Sequence, residues 1–432
     1  MAEKNSLEFE VKKEAPNLAH AKVIIPAKLV STLFNHAAKS QTNKTDVYGF
    51  KKGSTPISYI KEHFKPKLTN HLQEFFFKYG VISFLYKNLN AEKINTAGEP
   101  RLESITIEPD KDAIFNFQIS LIEPIEFADW KLLPFKAPKR KNYKDIDRQV
   151  ETFVKEEAEA AKKSPKEICV GDWVLFTIRP VDENDNPLFS DEGEQLWLKI
   201  GDEEADSLLR DIFLERNKDD VFYTDHQSFQ EYFSDELQTD YRFEITIVDI
   251  VQNNCFCFDE LKRHFRLKNN KEMHLKLIEV FSYRNDLSQR RLMVEEVFKV
   301  LLAKHPFSVS NHLVLRQQES VFKSVHENPD YHVYKNERNF KEYVQKLAAK
   351  QVQETILIDQ LKYKENVQAT DFDIRCYLNL AKRPRTKEFI YFEVPESKIN
   401  GQEIPLPAEV LRTIVQREKA LNFVIYHLLR DE

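Results

Sequence analysis

The sequence predicts a multidomain α+β chain, with a small α+β unit first, a compact mostly β unit next and a long all-α stretch last. Three observations carry that expectation. At 115–121, Phe115, Phe117, Ile119 and Leu121 alternate with Asn116, Gln118 and Ser120, the period-two pattern of a half-buried antiparallel strand. Over 167–252, strand-like runs at 174–178, 196–200 and 241–248 are separated by turn chemistry. From Phe258 almost to the end, apolar residues recur at helical spacing. A chain of 432 residues also exceeds one typical core, so two to three domains are expected.

In chain order, Val23, Ile24 and Ile25 read as a strand, and a helix follows over about 27–39 with Leu29, Val30, Leu33 and Phe34 on one side. Leu68, Leu72, Phe75, Phe76, Tyr79, Ile82, Leu85 and Leu89 recur at three- and four-residue steps, which predicts a long amphipathic helix packed on the core. Ile105 and Ile107 begin the next strand, and the first domain is assigned to 1–128. Residues 129–164 form a connecting arm, Pro- and Lys-rich at first and then helical, with Glu151–Lys155 and Glu159–Lys163 spaced i, i+4. The β domain is assigned to 165–252, with a short helix around 205–214. The helical region takes 253–432, its longest helices at about 271–304, 336–365 and 406–430. Val352, Ile356, Leu357, Ile358 and Leu361 cannot share one narrow stripe, so this region buries helix against helix or leaves an apolar surface open to a client.

Composition removes several functional classes. Only eight glycines occur and none forms a phosphate-cradling run, which argues against P-loop and dinucleotide folds. The twelve histidines lack zinc-ligand spacing, and no Gly-x-Ser-x-Gly elbow is present. No metal or small-molecule cofactor is expected. The four cysteines fit a reducing compartment. The first eight residues lack the apolar core of a signal peptide. The mean hydropathy of −0.54 leaves no transmembrane run, so a soluble, cytoplasmic protein is expected.

Charge is polarised beneath a net −6. Residues 182–240 hold 19 Asp or Glu against 4 Lys or Arg, whereas 136–144 carries Lys136, Lys139, Arg140, Lys141 and Lys144 with no acid. A second basic stretch, 44–67, surrounds Val47-Tyr48-Gly49-Phe50-Lys51-Lys52-Gly53-Ser54-Thr55-Pro56. Two glycines four apart read as a tight exposed loop, and Pro56 suits the start of a helix. The loop is either an ordinary surface turn or, with an aromatic ring and lysines at its tip, a dock for a polyanion.

The sequence Gly49 to Pro56 resembles the G-F-R-K-G-x-x-P signature of the trigger factor family, with Lys51 in place of arginine. The turn from Ile94 to Pro100 (Ile-Asn-Thr-Ala-Gly-Glu-Pro) is similar to that family's I-N-P-A-G-x-P turn. The resemblance implies a ribosome-associated chaperone. Its first domain would dock at the exit tunnel, on ribosomal RNA and protein, through Gly49, Phe50, Lys51, Lys52, Gly53 and Pro56. Its helical region would shelter nascent polypeptides. The middle unit would be an FKBP-type peptidyl-prolyl isomerase domain, whose pocket needs an apolar aromatic lining rather than an acid or base. Matching positions are Phe176, Phe189, Leu196, Leu209, Tyr232 and Phe243. The chain departs from the family at Asp206 and Ser207, where a carboxylate would stand on the pocket floor, and this puts isomerase activity in doubt. Two other readings compete: a chain that is chiefly an active isomerase, and an RNA-binding factor using its basic segments, which the acidic middle unit opposes.

Overall fold

The structure is a computed structural model that describes residues 6–44, 47–51, 53–122, 125–138, 144–162, 167–182, 184–188, 193–225, 229, 241–326, 331–336, 338–394, 398–399 and 401–429. It opens with β1 (Glu8–Ala15) and β2 (Leu18–Ile25), followed by α1 (Ala27–Lys44), α2 (Ile57–His63), α3 (Lys65–Phe76) and α4 (Ile82–Ala91). Next come β3 (Arg101–Thr106) and β4 (Ala113–Ser120). The four strands form an antiparallel sheet in the order β1-β2-β4-β3. The register sets Val23 opposite Phe115 and Ala21 opposite Phe117, so one face is continuously apolar. Each fully buried phenylalanine there contributes about 1.5–3 kcal/mol.

The expected long helix over 68–89 is instead α3 and α4 joined by a π-helical turn, Phe77–Val81. The extra residue in a π turn rotates the following helix face. The apolar residues before and after it can then serve different neighbours. Phe77 faces Phe117 of the sheet at a ring separation of 6.5 Å.

Residues 125–138 lie along the helical part of the chain. Trp130 is buried and its indole N–H donates to Glu365 Oε1 at 3.0 Å, while Lys131 Nζ reaches Glu365 Oε2 at 2.6 Å. Helix α5 (Lys144–Ala161) follows. Its Glu157 is buried, accepts the Phe256 amide at 2.7 Å, and meets Arg383 through two bonds of 2.5 and 3.0 Å.

A second antiparallel sheet holds β5 (Trp173–Val181), β6 (Glu194–Lys199), β7 (Val221–Thr224) and β8 (Arg242–Val251), with α6 (Ser207–Phe213) on one face. Both faces are covered. Val174, Phe176, Leu196, Phe243 and Ile245 belong to one core with α6, while Leu175, Trp197 and Val251 belong to another with the helical part.

Beyond residue 257 lie α7 (Phe258–His264), α8 (Asn270–Phe281), β9 (Tyr283–Arg284), β10 (Leu287–Ser288), α9 (Gln289–Lys304), α10 (Asn311–His326), α11 (Phe340–Lys364) and α12 (Asp371–Ala381). The expected helix over 271–304 is two helices. Asn285 and Asp286 both take positive φ (52° and 62°), the geometry of a tight hairpin turn that these residues tolerate, and Ser288 then caps α9 by accepting the Arg291 amide. The segment beyond residue 394 also departs from a purely helical reading. It contains β11 (Lys398–Ile399), β12 (Gln402–Glu403) and β13 (Leu406–Pro407) before the last helix, α13 (Ala408–Leu428). Strand β13 pairs with β6, so the second sheet runs β13-β6-β5-β8-β7.

Candidate functional sites: the glycine-bracketed loop and the aromatic pocket

The stretch between α1 and α2 turns on its two glycines. Gly49 and Gly53 have φ of +94° and +81°, a region that costs a side-chain-bearing residue strain but not glycine. The Phe50 amide donates to the Val47 carbonyl (3.1 Å) and the Ser54 amide to that of Lys51 (2.9 Å). Pro56 caps α2 in extended conformation, and its carbonyl accepts the Ile60 amide at 3.2 Å. Phe50 is 38% exposed and Lys51 exposed; the Phe50 ring rests against Tyr59 at 5.1 Å, and Tyr59 stacks on His63 at 3.8 Å. An aromatic column therefore supports one side of the Phe50 ring and leaves the other to solvent. Tyr48 beside it is fully exposed. Lys52 lies outside the described residues.

Four of the six positions read as an isomerase pocket, Phe176, Leu196, Leu209 and Phe243, are buried and lie in one core cluster. Phe189 and Tyr232 lie outside the described residues. The lining is more aromatic than those four suggest. Phe213 stands 4.9 Å from Phe176, and Phe229 stands 5.8 Å from Phe243 and 6.3 Å from Phe176.

This cluster is not open to solvent. Helices α3 and α4 and the π turn between them lie over it. The Tyr79 hydroxyl donates to the Phe229 carbonyl at 2.9 Å, and its ring is 5.7 Å from Phe243. Tyr241 is buried against α3 and α1: its hydroxyl meets His71 Nε2 at 2.6 Å, and its ring packs on Phe75 at 4.8 Å and on His36 of α1 at 5.2 Å. Farther along, the Ser83 hydroxyl donates to Glu194 at the start of β6. Burial pushes the Glu194 carboxyl up to about 8, against the pull of the Ser83 hydrogen bond. The neutral acid is thus favoured at pH 7. None of Tyr79, His71 or Phe75 is readable from the β unit alone. The sequence clue is the run Phe75-Phe76-Phe77 with Tyr79, which puts aromatic rings on more than one face of a helix.

Asp206 corrects an expectation. It is buried, but it is not an unpaired charge on a pocket floor. Oδ1 accepts the Glu403 amide at 2.7 Å and Oδ2 the Glu203 amide at 3.3 Å. Two backbone donors satisfy the carboxylate, which joins the start of α6 to β12. Gly201 makes room for it, since a Cβ there would stand 1.9 Å from Oδ2. Among the described residues no group of His, Cys, Asp and Glu could hold a metal ion, and no helix is long and apolar enough to cross a membrane.

Two family models match the sequence: "Bacterial trigger factor protein (TF)" over residues 7–153, and "Bacterial trigger factor protein (TF) C-terminus" over residues 272–382. Together they span more than half of the chain. It belongs to the trigger factor family. The trigger factor of Rickettsia massiliae (strain Mtu5) is 22% identical over 433 residues, an alignment covering 95% of this chain and 92% of the relative. That of Rickettsia canadensis (strain McKiel) is 23% identical over 414 residues, covering 94% and 90%. A solved trigger factor chaperone aligns over 97% of this chain and 100% of its own at 14% identity, with a TM-score of 0.35. At that TM-score the likeness of overall arrangement is too loose to build on. The chain is a divergent trigger factor, and the chaperone class follows from the family.

Proposed function

We propose that this chaperone docks beside the ribosomal exit tunnel through Gly49, Phe50, Lys51, Lys52, Gly53 and Pro56, and keeps newly synthesised chains open while they emerge. The reading places it in the cytoplasm, in contact with ribosomal RNA, a rim protein of the large subunit and nascent polypeptides, and it requires no cofactor. The observation that carries it is the loop geometry: positive-φ glycines hold Phe50 half-exposed on an aromatic support with Lys51 beside it. A ring with one side free offers desolvation energy to a partner, and the lysines attract phosphate. Lys51 is a point charge without the two-pronged fork of arginine, so its contact is less directional.

The sealing of Phe176 and Phe243 beneath Tyr79 and Tyr241 favours holding over isomerisation. Among the described residues, α3, α4 and the turn between them close their side of the aromatic cluster to a prolyl substrate. The fold of the middle unit is accordingly used as a scaffold in this conformation.

Co-sedimentation with ribosomes tests the docking. The triple variant Phe50→Ala, Lys51→Ala, Lys52→Ala is expected to leave the pellet, because an aromatic hot spot with its flanking charges contributes at least about 2 kcal/mol, roughly a thirtyfold change in affinity. Wild-type pelleting by the triple variant would remove the loop from the docking site. A proline-limited refolding assay separates the second function, since uncatalysed isomerisation takes tens to hundreds of seconds. No acceleration is expected from the wild-type chain.

A further inference from the structure

A cavity of about 570 Å³ lies where α4 and the turn from Ile94 to Pro100 meet α10, α11 and α13. Its volume is that of a small-ligand pocket. Leu89, Leu313, Val352, Ile356 and Ile414 form apolar walls. The charged groups on its lining are Glu99, Arg316, Glu319, Lys323, Asp359, Lys362 and Arg417, four cations against three carboxylates. Arg316 is matched by Glu99, through its side chain and through the Glu99 carbonyl at 3.2 Å. Glu319 and Lys323 stand one turn apart on α10.

The remaining three charges do not balance. Arg417 grips Asp359 with Nε at 2.9 Å from Oδ1 and Nη2 at 2.8 Å from Oδ2. Lys362, only 3% exposed, reaches the same carboxylate at 3.4 Å. One buried carboxylate therefore serves two cations, and among the described residues the Arg417 Nη1 group donates to no protein acceptor. Burial pushes the Lys362 ammonium down, against the attraction of Asp359. The Tyr86 hydroxyl lines the same cavity, held protonated by burial and by Glu99 against the pull of Arg417. Two cations sharing one carboxylate beside an apolar-walled cavity leave donors for a second carboxylate.

We infer that this cavity binds an apolar carboxylic acid, its carboxylate taken by Arg417 and Lys362 and its body by the walls of α4, α10 and α11. The ligand chemistry is met either by the free C-terminus of an apolar peptide or by a small organic acid. Charge-assisted bonds to Arg and Lys give the carboxylate its selectivity over a neutral amide of the same shape. A bound carboxylate would also favour the protonated form of Lys362. Because the cavity has walls from both the N-terminal and the helical parts, occupancy would tie the two together. None of this depends on ribosome docking.

The test is calorimetric titration of the full chain at pH 8 with acetyl-Leu-Phe, its C-terminal amide, 4-phenylbutanoate and inorganic phosphate. The acid peptide or 4-phenylbutanoate is expected to bind at least tenfold more tightly than the amide. Binding of the peptide acid alone assigns the site to chain ends, and equal binding of 4-phenylbutanoate assigns it to small acids. The Lys362→Met variant keeps the Arg417–Asp359 pair and is expected to lose the tenfold preference. The Val410→Trp variant keeps every charge, fills the cavity and is expected to abolish binding. Equal affinity for acid and amide would overturn the assignment, as would an acid preference that survives Lys362→Met, or phosphate binding as tightly as the acids.

Discussion

Replacing Tyr241 by alanine should loosen the cover over the aromatic cluster. The Tyr241 ring is 1% exposed and touches His71 and Phe75 of α3 and His36 of α1. Truncating a buried aromatic costs about 3–5 kcal/mol, and losing the 2.6 Å hydrogen bond to His71 adds about 1 kcal/mol. The ring also touches Phe243 within the β unit at 6.2 Å, so part of the loss falls there. About 4 kcal/mol acting on the contact itself would shift its equilibrium roughly a thousandfold. Amide hydrogen exchange checks this directly. Protection should fall in both α3 and β8, and the urea midpoint should drop. Tyr241→Phe, which keeps every ring contact, should cost only about 1 kcal/mol. If the opened cluster is a competent pocket, Tyr241→Ala should accelerate proline-limited refolding where the wild type does not. Exchange confined to β8, with α3 as protected as before, would refute the idea that this ring holds the two units together.

Three further outcomes follow from buried polar groups. Glu194 has a folded pKa of about 8, above its unfolded value near 4.5. The folded state therefore binds the extra proton, and its stability is full below about pH 4.5 and falls as pH rises through 8. The slope approaches about 1.4 kcal/mol per pH unit between those limits. Urea unfolding of Glu194→Gln at pH 5, 7 and 9 should show that slope reduced, and an unchanged slope would exclude Glu194 as its source. Arg383→Met leaves Glu157 buried with, among the described residues, the Phe256 amide as its remaining partner, a loss of about 3 kcal/mol expected from urea unfolding. Asp206→Ala strips the Glu403 and Glu203 amides of their acceptor. It should cost about 1–3 kcal/mol and raise amide exchange at Glu403.

Much of the fold is legible because its signals are local. The alternation from Phe115 to Leu121 marks β4 without reference to anything distant, and the order of α+β unit, β unit and helices follows from such patterns. The positive φ of Gly49 and Gly53 is equally local, since only the backbone of a few residues is involved. What escapes is pairing across long separations. Asp206 looks like an orphan charge until the Glu403 amide arrives from the far end of the chain. The burial of Phe243 is readable from its strand, but its cover by Tyr79 is not, because no periodicity in 68–89 says which unit each face meets. Asn285 and Asp286 are an intermediate case: their turn chemistry is visible, but the helical periodicity on both sides outweighs it.

The pairing of β13 with β6 has a consequence for how the chain is made. Leu406 and Pro407 complete a sheet whose other strands end at Val251. At about 5–20 residues per second, the outer edge of β6 waits roughly 10–40 s for its neighbour to be synthesised. An uncovered strand edge invites pairing with another chain. During that interval a protein of the chaperone class carries the same liability as the clients it would shelter.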